Sequence, residues 1–230
     1  MPTGTITGMA FIDDPAVAKL AAEHDVPADV ARELVGLLRP CVLLVRHEDL
    51  PAGSDSVPAA GRSGGVPSLP EGTELPDGTD PFVLTVDCAA LPHDWLDIDL
   101  PSTGHLLFFT DFEYEPESSL VLHVPAGVPT AEREDDEDVV HQPHALHPVP
   151  ALTIDHDWRS APATEAFQAQ GGAVEDFVEA IVDSVHDGPR PNPVAQIGGF
   201  SVQWQEAPDQ DGLVLLAQIA GNGVDHGLFT

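Results

Sequence analysis

Apolar positions near the start of the chain recur at helical spacing. Val17, Leu20 and Ala21 follow Asp14-Pro15, an N-cap residue succeeded by the proline that suits a first helical turn. Pro27 interrupts the run. A second helix is predicted over roughly Ala28 to Leu38, with Val30, Leu34, Val35 and Leu38 on one face. Pro40 ends it, and the apolar, β-branched run from Cys41 to Val45 reads as a buried strand. From Glu48 to Asp80 the pattern dissolves into Pro, Gly and Ser, which predicts loops and turns.

Strands resume at Phe82 to Val86, Gly104 to Thr110 and Ser119 to Val124, the last alternating as a half-buried strand does. The like-charge run from Ala131 to Asp138 predicts a solvated loop. The clearest helix spans Ala173 to His186. Val174, Phe177, Val178, Ile181, Val182 and Val185 fall on one face, and Gly188-Pro189 stops it. Further strands are expected around Phe200 to Gln205, Leu213 to Ile219 and Gly227 to Thr230. Two stretches echo each other. Ser63-Gly64-Gly65-Val66 precedes apolar strands, as does Ile197-Gly198-Gly199-Phe200, so a duplicated half-domain is expected.

The fold class expected is α+β: mixed or antiparallel sheets from two echoing halves, with N-terminal helices and the 173–186 helix packed on a sheet. One domain over 1–230 would hold a helical part with the first strand (1–46) and a first half (60–125). An acidic and His/Pro loop region (126–160) and a second half (171–230) would complete it.

Charge changes the picture most. The chain has 39 Asp+Glu against 8 Lys+Arg, a formal net charge of −31, and Lys19 is its single lysine. Nucleic-acid affinity rests largely on Lys and Arg displacing counterions, so a nucleic-acid partner is not expected. Anionic membrane surfaces are disfavoured for the same reason. A basic protein is the partner such a field attracts. Cys41 and Cys88 lie in apolar segments and read as buried free thiols. No Lys or Arg precedes Lys19, and no apolar run approaches the ~20 residues of a membrane helix, so the cytoplasm is the expected compartment.

Gly61-Arg62-Ser63-Gly64-Gly65 satisfies the Gly-x-Ser-x-Gly nucleophile pattern, but that pattern needs a strand before the serine and a helix after it. Pro67 and Pro70 lack the amide hydrogens a helix would use, so the glycines are read as serving a special backbone conformation and no catalytic residue is assigned. Arg62 and Gln196 each precede a Gly-Gly pair. Arg62 is expected to be held by an internal carboxylate, the alternative being that it faces a cleft and grips an anion. Arg62, Gly64, Gly65, Gln196, Gly198, Gly199 and Trp204 form the candidate ligand or partner set. Trp95, Trp158 and Trp204 read as core or sub-surface anchors, since no basic groove accompanies them.

His141-x-x-His144-x-x-His147 is the metal candidate, because imidazoles suit zinc, copper or nickel. Pro143 and Pro148 oppose the helix that would bring the rings together, so a surface His/Pro loop is the favoured reading. No cofactor is otherwise implied. Asp155-His156-Asp157 and His93-Asp94 read as surface pairs.

Three motifs carry a family resemblance: Arg62-Ser63-Gly64-Gly65-Val66-Pro67-Ser68-Leu69-Pro70, Phe82 through Leu91-Pro92, and Gly104-His105-Leu106-Leu107-Phe108-Phe109. With Gln196-Ile197-Gly198-Gly199 and Leu215 to Ile219 they resemble the bacterial YwqG-like family over roughly residues 36 to 230. The resemblance implies an α+β architecture with mixed sheets and supplies no activity. In three places the chain departs from the family pattern. Leu75 replaces a tryptophan, the closing loop reads Asn222-Gly223-Val224-Asp225-His226-Gly227, and the last strand is short. The functional expectation is a non-catalytic module that binds another protein, immunity- or inhibitor-like. The alternative is a hydrolase or metal-dependent enzyme with a site near Arg62 or His141–His147.

Overall fold

The computed structural model describes residues 15–54, 56–76, 81–110, 119–133, 140–185, 190–201 and 213–220. Two helices come first, α1 (Pro15–Glu23) and α2 (Ala28–Gly36), with Val17, Ala21, Val30, Leu34 and Val35 buried. α2 stops two residues before the expected end because Leu38 already belongs to β1 (Leu38–Val45). Every β1 residue except Arg39 is buried.

Among the described residues the longest strand is β8 (His144–Ile154). It lies in the 126–160 region expected to be a His/Pro loop, and the reason it can be a strand is register. Leu38 to Val45 pairs antiparallel with Ile154 to His147, and the Asp155 N–H donates to the Leu37 carbonyl at 3.0 Å. In that register the odd-numbered β1 residues form the hydrogen-bonded pairs. Pro40, Pro148 and Pro150 all fall on the other pairs, opposite Leu152, Leu44 and Val42. Their missing N–H groups therefore point away from the β1–β8 ladder. β9 (Ala195–Gly198) begins its pairing with β1 one residue beyond Pro40, at Cys41.

The other strands are β2 (Gly61–Ser63), β3 (Ser68–Pro70), β4 (Phe82–Asp87), β5 (His105–Phe109), β6 (Leu120–Val124), β7 (Thr130–Glu132) and β10 (Ala217–Ile219). Eight form one sheet in the order β10-β9-β1-β8-β2-β4-β5-β6, and β3 pairs with β7. All of these pairings are antiparallel, which selects one of the two sheet types expected. β2 and β3 lie inside the stretch read as loops and turns.

Among the described residues two more helices follow β8. α3 (Pro162–Ala169) carries no helical signal that the sequence reading used. Its N-terminus is held by Glu33 of α2, whose Oε2 accepts from the Ala163 N–H at 2.6 Å. α4 (Glu175–Asp183) is the expected amphipathic helix, and it buries Phe177, Val178 and Ile181. These join Val42, Leu44, Leu84, Leu106 and Leu152 in the main core, on one face of the sheet. Each such side chain contributes about 1.5–3 kcal/mol by leaving water. The other face carries Cys41, Leu43, Val45, Val149 and Ala151 in one cluster, and Leu69, Phe82, Leu107, Phe109 and Val124 in another. The architecture is α+β and dominated by its sheet.

The register has a centre, the pair Val45 and His147. One residue back from each, Leu44 faces Ala195 and Leu146 faces Gly61. One strand further out, Ala195 faces Ile219 and Gly61 faces Val86. β1 thus pairs with the glycine-turn strand β9, and β8 with the glycine-turn strand β2.

Some expectations fall partly or wholly outside the described residues: Asp14, 134–138, His186, Gly188-Pro189, 202–205, Trp204, 222–227 and the strand at 227–230. Phe200 and Ser201 are not in a strand, and of 213–219 only the last three residues are.

Candidate functional site

Ser63 ends β2 and is 1% exposed, so it sits inside a sheet rather than on the sharp turn that presents a nucleophile. Gly64 and Gly65 follow with φ of 66° and 74°, a left-handed conformation that glycine adopts without strain. Contact demands glycine here as well: a Cβ on Gly64 would lie 2.5 Å from the Gln142 carbonyl oxygen. Arg62 closes this turn, its Nη2 donating to the Val66 carbonyl at 2.7 Å and its guanidinium standing 5.9 Å from the Phe82 ring centroid. Among the described residues, Arg62 meets a carbonyl and an aromatic face where an internal carboxylate was expected.

The second turn repeats the geometry. Gly198 and Gly199 have φ of 69° and 75°. Gln196 Nε2 donates to the Gly198 carbonyl at 3.0 Å and to the Phe200 carbonyl at 2.8 Å. A Cβ on Gly199 would lie 2.5 Å from Thr153 Oγ1 and 2.8 Å from Cys41 Cβ, while one on Gly198 would touch Leu96 and Ile98. Trp95 holds this covering loop in place, its Nε1 donating to the carbonyls of Cys41 (3.0 Å) and Ala151 (3.1 Å). Asp97 of the same loop accepts from Arg39 at 2.7 Å, and Arg39 stands 5.3 Å from the Phe200 ring centroid.

The two turns do not form one site. β1 and β8 lie between β9 and β2, a separation of about 14 Å at ordinary strand spacing. Successive antiparallel pairings also make β2 and β9 run in opposite directions, so their turns leave at opposite ends of the sheet. The candidate set Arg62, Gly64, Gly65, Gln196, Gly198 and Gly199 is therefore split in two, and Trp204 lies outside the described residues.

The histidine triplet is separated as well. His144 shares a strand face with Leu146 of the main core, and His147 shares the opposite face with Val149. His147 Nδ1 bonds the Val57 carbonyl at 2.8 Å, and its ring lies 5.4 Å from that of His47. His141 is buried ahead of the strand, where its carbonyl accepts from the Gly65 N–H at 2.8 Å. Three residues apart on a strand is an odd step, so His144 and His147 cannot share an ion. Among the described residues the one cluster with metal-ligand spacing is Asp155, His156 and Asp157, with ligand atoms all within 4.8 Å of one another. Its ring nitrogens face the two carboxylates at 3.6 and 3.4 Å. His93 Nε2 bonds the Cys88 carbonyl at 2.7 Å.

A cavity of about 400 Å³ opens beside the second turn, bordered by Thr153, His156, Arg159, Glu175, Arg190 and Phe200 among others. Backbone N–H groups at the start of α4, its own first, hold the Glu175 carboxyl below the usual carboxylate range, with a smaller contribution from Arg159 at 3.5 Å. Arg190 is the member the sequence reading missed. Its only signal was being one of eight cations in so acidic a chain. Trp158 is buried under the Arg159 guanidinium, which stands 4.2 Å from its ring centroid. Both cysteines are free and buried. Burial pushes the Cys41 thiol up to about 12, opposed by the positive charge of Arg190, and burial followed by Asp87 raises Cys88.

The fold and its turns define a sheet-dominated α+β domain with two separate left-handed glycine turns. The chain belongs to the family described as a domain of unknown function, DUF1963, whose sequence profile matches residues 61–228. That match starts at β2, so β1, which lies between β8 and β9 in the sheet, precedes it. No curated protein matches the chain. Among the described residues no helix is long and apolar enough to cross a membrane.

Proposed function

We propose that this protein is a non-catalytic interaction module that binds a basic protein, in an immunity- or inhibitor-like role in the cytoplasm. The observation that carries the reading is where the few cations go. Lys19, Arg39 and Arg159 pair with Glu23, Asp97 and Glu175. Arg62, Arg133 and Arg190 donate into the backbone carbonyls of Val66, Thr73 and Leu152. Six of the eight positive groups are thus engaged within the fold, against 39 carboxylates. A surface so unbalanced steers cationic proteins toward it and repels nucleic acid and anionic lipid.

The glycine turns fit this reading as scaffold, because Arg62 and Gln196 each donate across one of them. Kinship with the YwqG-like proteins rests on the first turn and on the segments Phe82 to Pro92, Gly104 to Phe109, Gln196 to Gly199 and Leu215 to Ile219, and a duplicated half-domain is the simplest origin of the centred register. Affinity capture on the immobilised protein at low salt, with a salt gradient for elution, tests the function. A specific basic protein released by salt is expected. No specific capture at any salt level would refute the proposal.

A further inference from the structure

Arg190 brings positive charge to the edge of open space. Its Nη1 donates to the Leu152 carbonyl at 3.1 Å and its Nη2 to Gln196 Oε1 at 3.3 Å, both neutral acceptors. A guanidinium carries five N–H groups and stays charged at any working pH. Two neutral bonds orient it, while no carboxylate among the described residues answers its charge. Arg39 and Arg159, by contrast, have carboxylates at 2.7 and 3.5 Å. Arg62 has its own turn to close, but at the second turn Gln196 does that, so turn closure does not account for Arg190. Its charge also reaches into the sheet, where it is the main influence opposing the rise of the Cys41 thiol.

Two cavities meet at this residue, of about 400 Å³ and about 310 Å³. The larger is bordered by Phe200, Ile154, Val178 and Val182, so it offers an apolar wall beside the cation. Arg159 and His156 border it too, as do Glu175 and Glu179 of α4. The glutamates would repel a second anionic group, so a ligand here carries its charge at one end.

We propose that this cavity takes a small organic anion, with a carboxylate or phosphate seated on Arg190 and a flat apolar part against Phe200. Planar, bidentate recognition of such groups is what arginine provides. Calorimetric titration of the full chain with phenyl phosphate, phenylacetate and the uncharged phenylacetamide tests it. At least one of the two anions should bind, with one site per chain and at least about tenfold more tightly than the amide, and the tighter anion identifies the headgroup. Arg190→Gln should lose about tenfold or more in anion affinity. Should that variant not fold, Arg159→Gln, which alters an exposed side chain, should weaken the anion about threefold and leave the amide unchanged. The proposal is overturned if neither anion binds more tightly than the amide. It is overturned equally if Arg190→Gln, or Arg159→Gln where only that variant folds, binds the anions as the parent does.

Discussion

Arg62 Nη2 donates to the carbonyl of Val66 at 2.7 Å, and Gln196 Nε2 donates to the carbonyl of Phe200 at 2.8 Å, four residues ahead in each case. The two side chains reach over matching pairs of left-handed glycines, Gly64-Gly65 and Gly198-Gly199. A guanidinium and an amide thus close the same kind of turn, since each supplies an N–H at the end of a side chain long enough to span it.

A graded response at Arg62 follows from that equivalence. Arg62→Ala removes the closing bond and the contact with Phe82, and should cost about 1–2 kcal/mol. Arg62→Gln keeps a donor of the kind Gln196 uses and should cost clearly less. Urea midpoints of the two variants against the parent check this, and equal losses would mean that the bond to Val66 contributes nothing.

Glycine substitutions should split by what surrounds them. Gly199 has positive φ, and a Cβ there would collide with Thr153 Oγ1 and Cys41 Cβ, so Gly199→Ala should cost about 3 kcal/mol or more. Gly127 also has positive φ but nothing within 4 Å, so Gly127→Ala should cost only about 1–2 kcal/mol. Thermal unfolding of both variants gives the comparison, and similar losses would contradict the packing around the second turn.

Stability should fall as the solution turns alkaline. The folded Cys41 thiol is raised to about 12 from an ordinary value of 9.0, so the unfolded chain ionises first. The thiol's contribution is full below pH 9 and is lost as pH climbs from there toward 12, on the order of 1 kcal/mol of it by pH 10. Unfolding free energies from urea titrations at pH 8 and pH 10 should differ by a loss of that order, and Cys41→Ala should reduce the dependence. Neither thiol should react with an alkylating reagent in the native state.

Salt should stabilise the fold. A net charge of −31 repels itself, and ions screen that repulsion over a Debye length of about 10 Å at 0.1 M. The melting temperature should rise with sodium chloride by roughly 2–4 °C for each kcal/mol of repulsion removed. A fall would show that the Arg39–Asp97 and Arg159–Glu175 pairs outweigh the excess of carboxylates.

The elements legible in the chain were those whose signal is local. Val174, Phe177, Val178 and Ile181 announce α4 because a helix gathers such residues by its own period. The paired glycines announce left-handed turns because few other residues accept that backbone. Burial of both cysteines followed from their apolar neighbours. β8 was not legible, because prolines lie in and opposite it, and only the register with β1 moves Pro40, Pro148 and Pro150 off the bonded pairs.

By itself the sequence determined which segments were apolar enough to enter a core, where the chain had to turn through left-handed glycine, and how unbalanced its charge would be. Those are properties of neighbouring residues and of composition. Only the tertiary structure decided that the two glycine turns leave opposite ends of one sheet, that His144 and His147 face opposite sides of it, and that Arg190 borders a cavity between two neutral acceptors. Strand order and register join residues far apart in the chain, and no local preference encodes which distant strand will supply the partner.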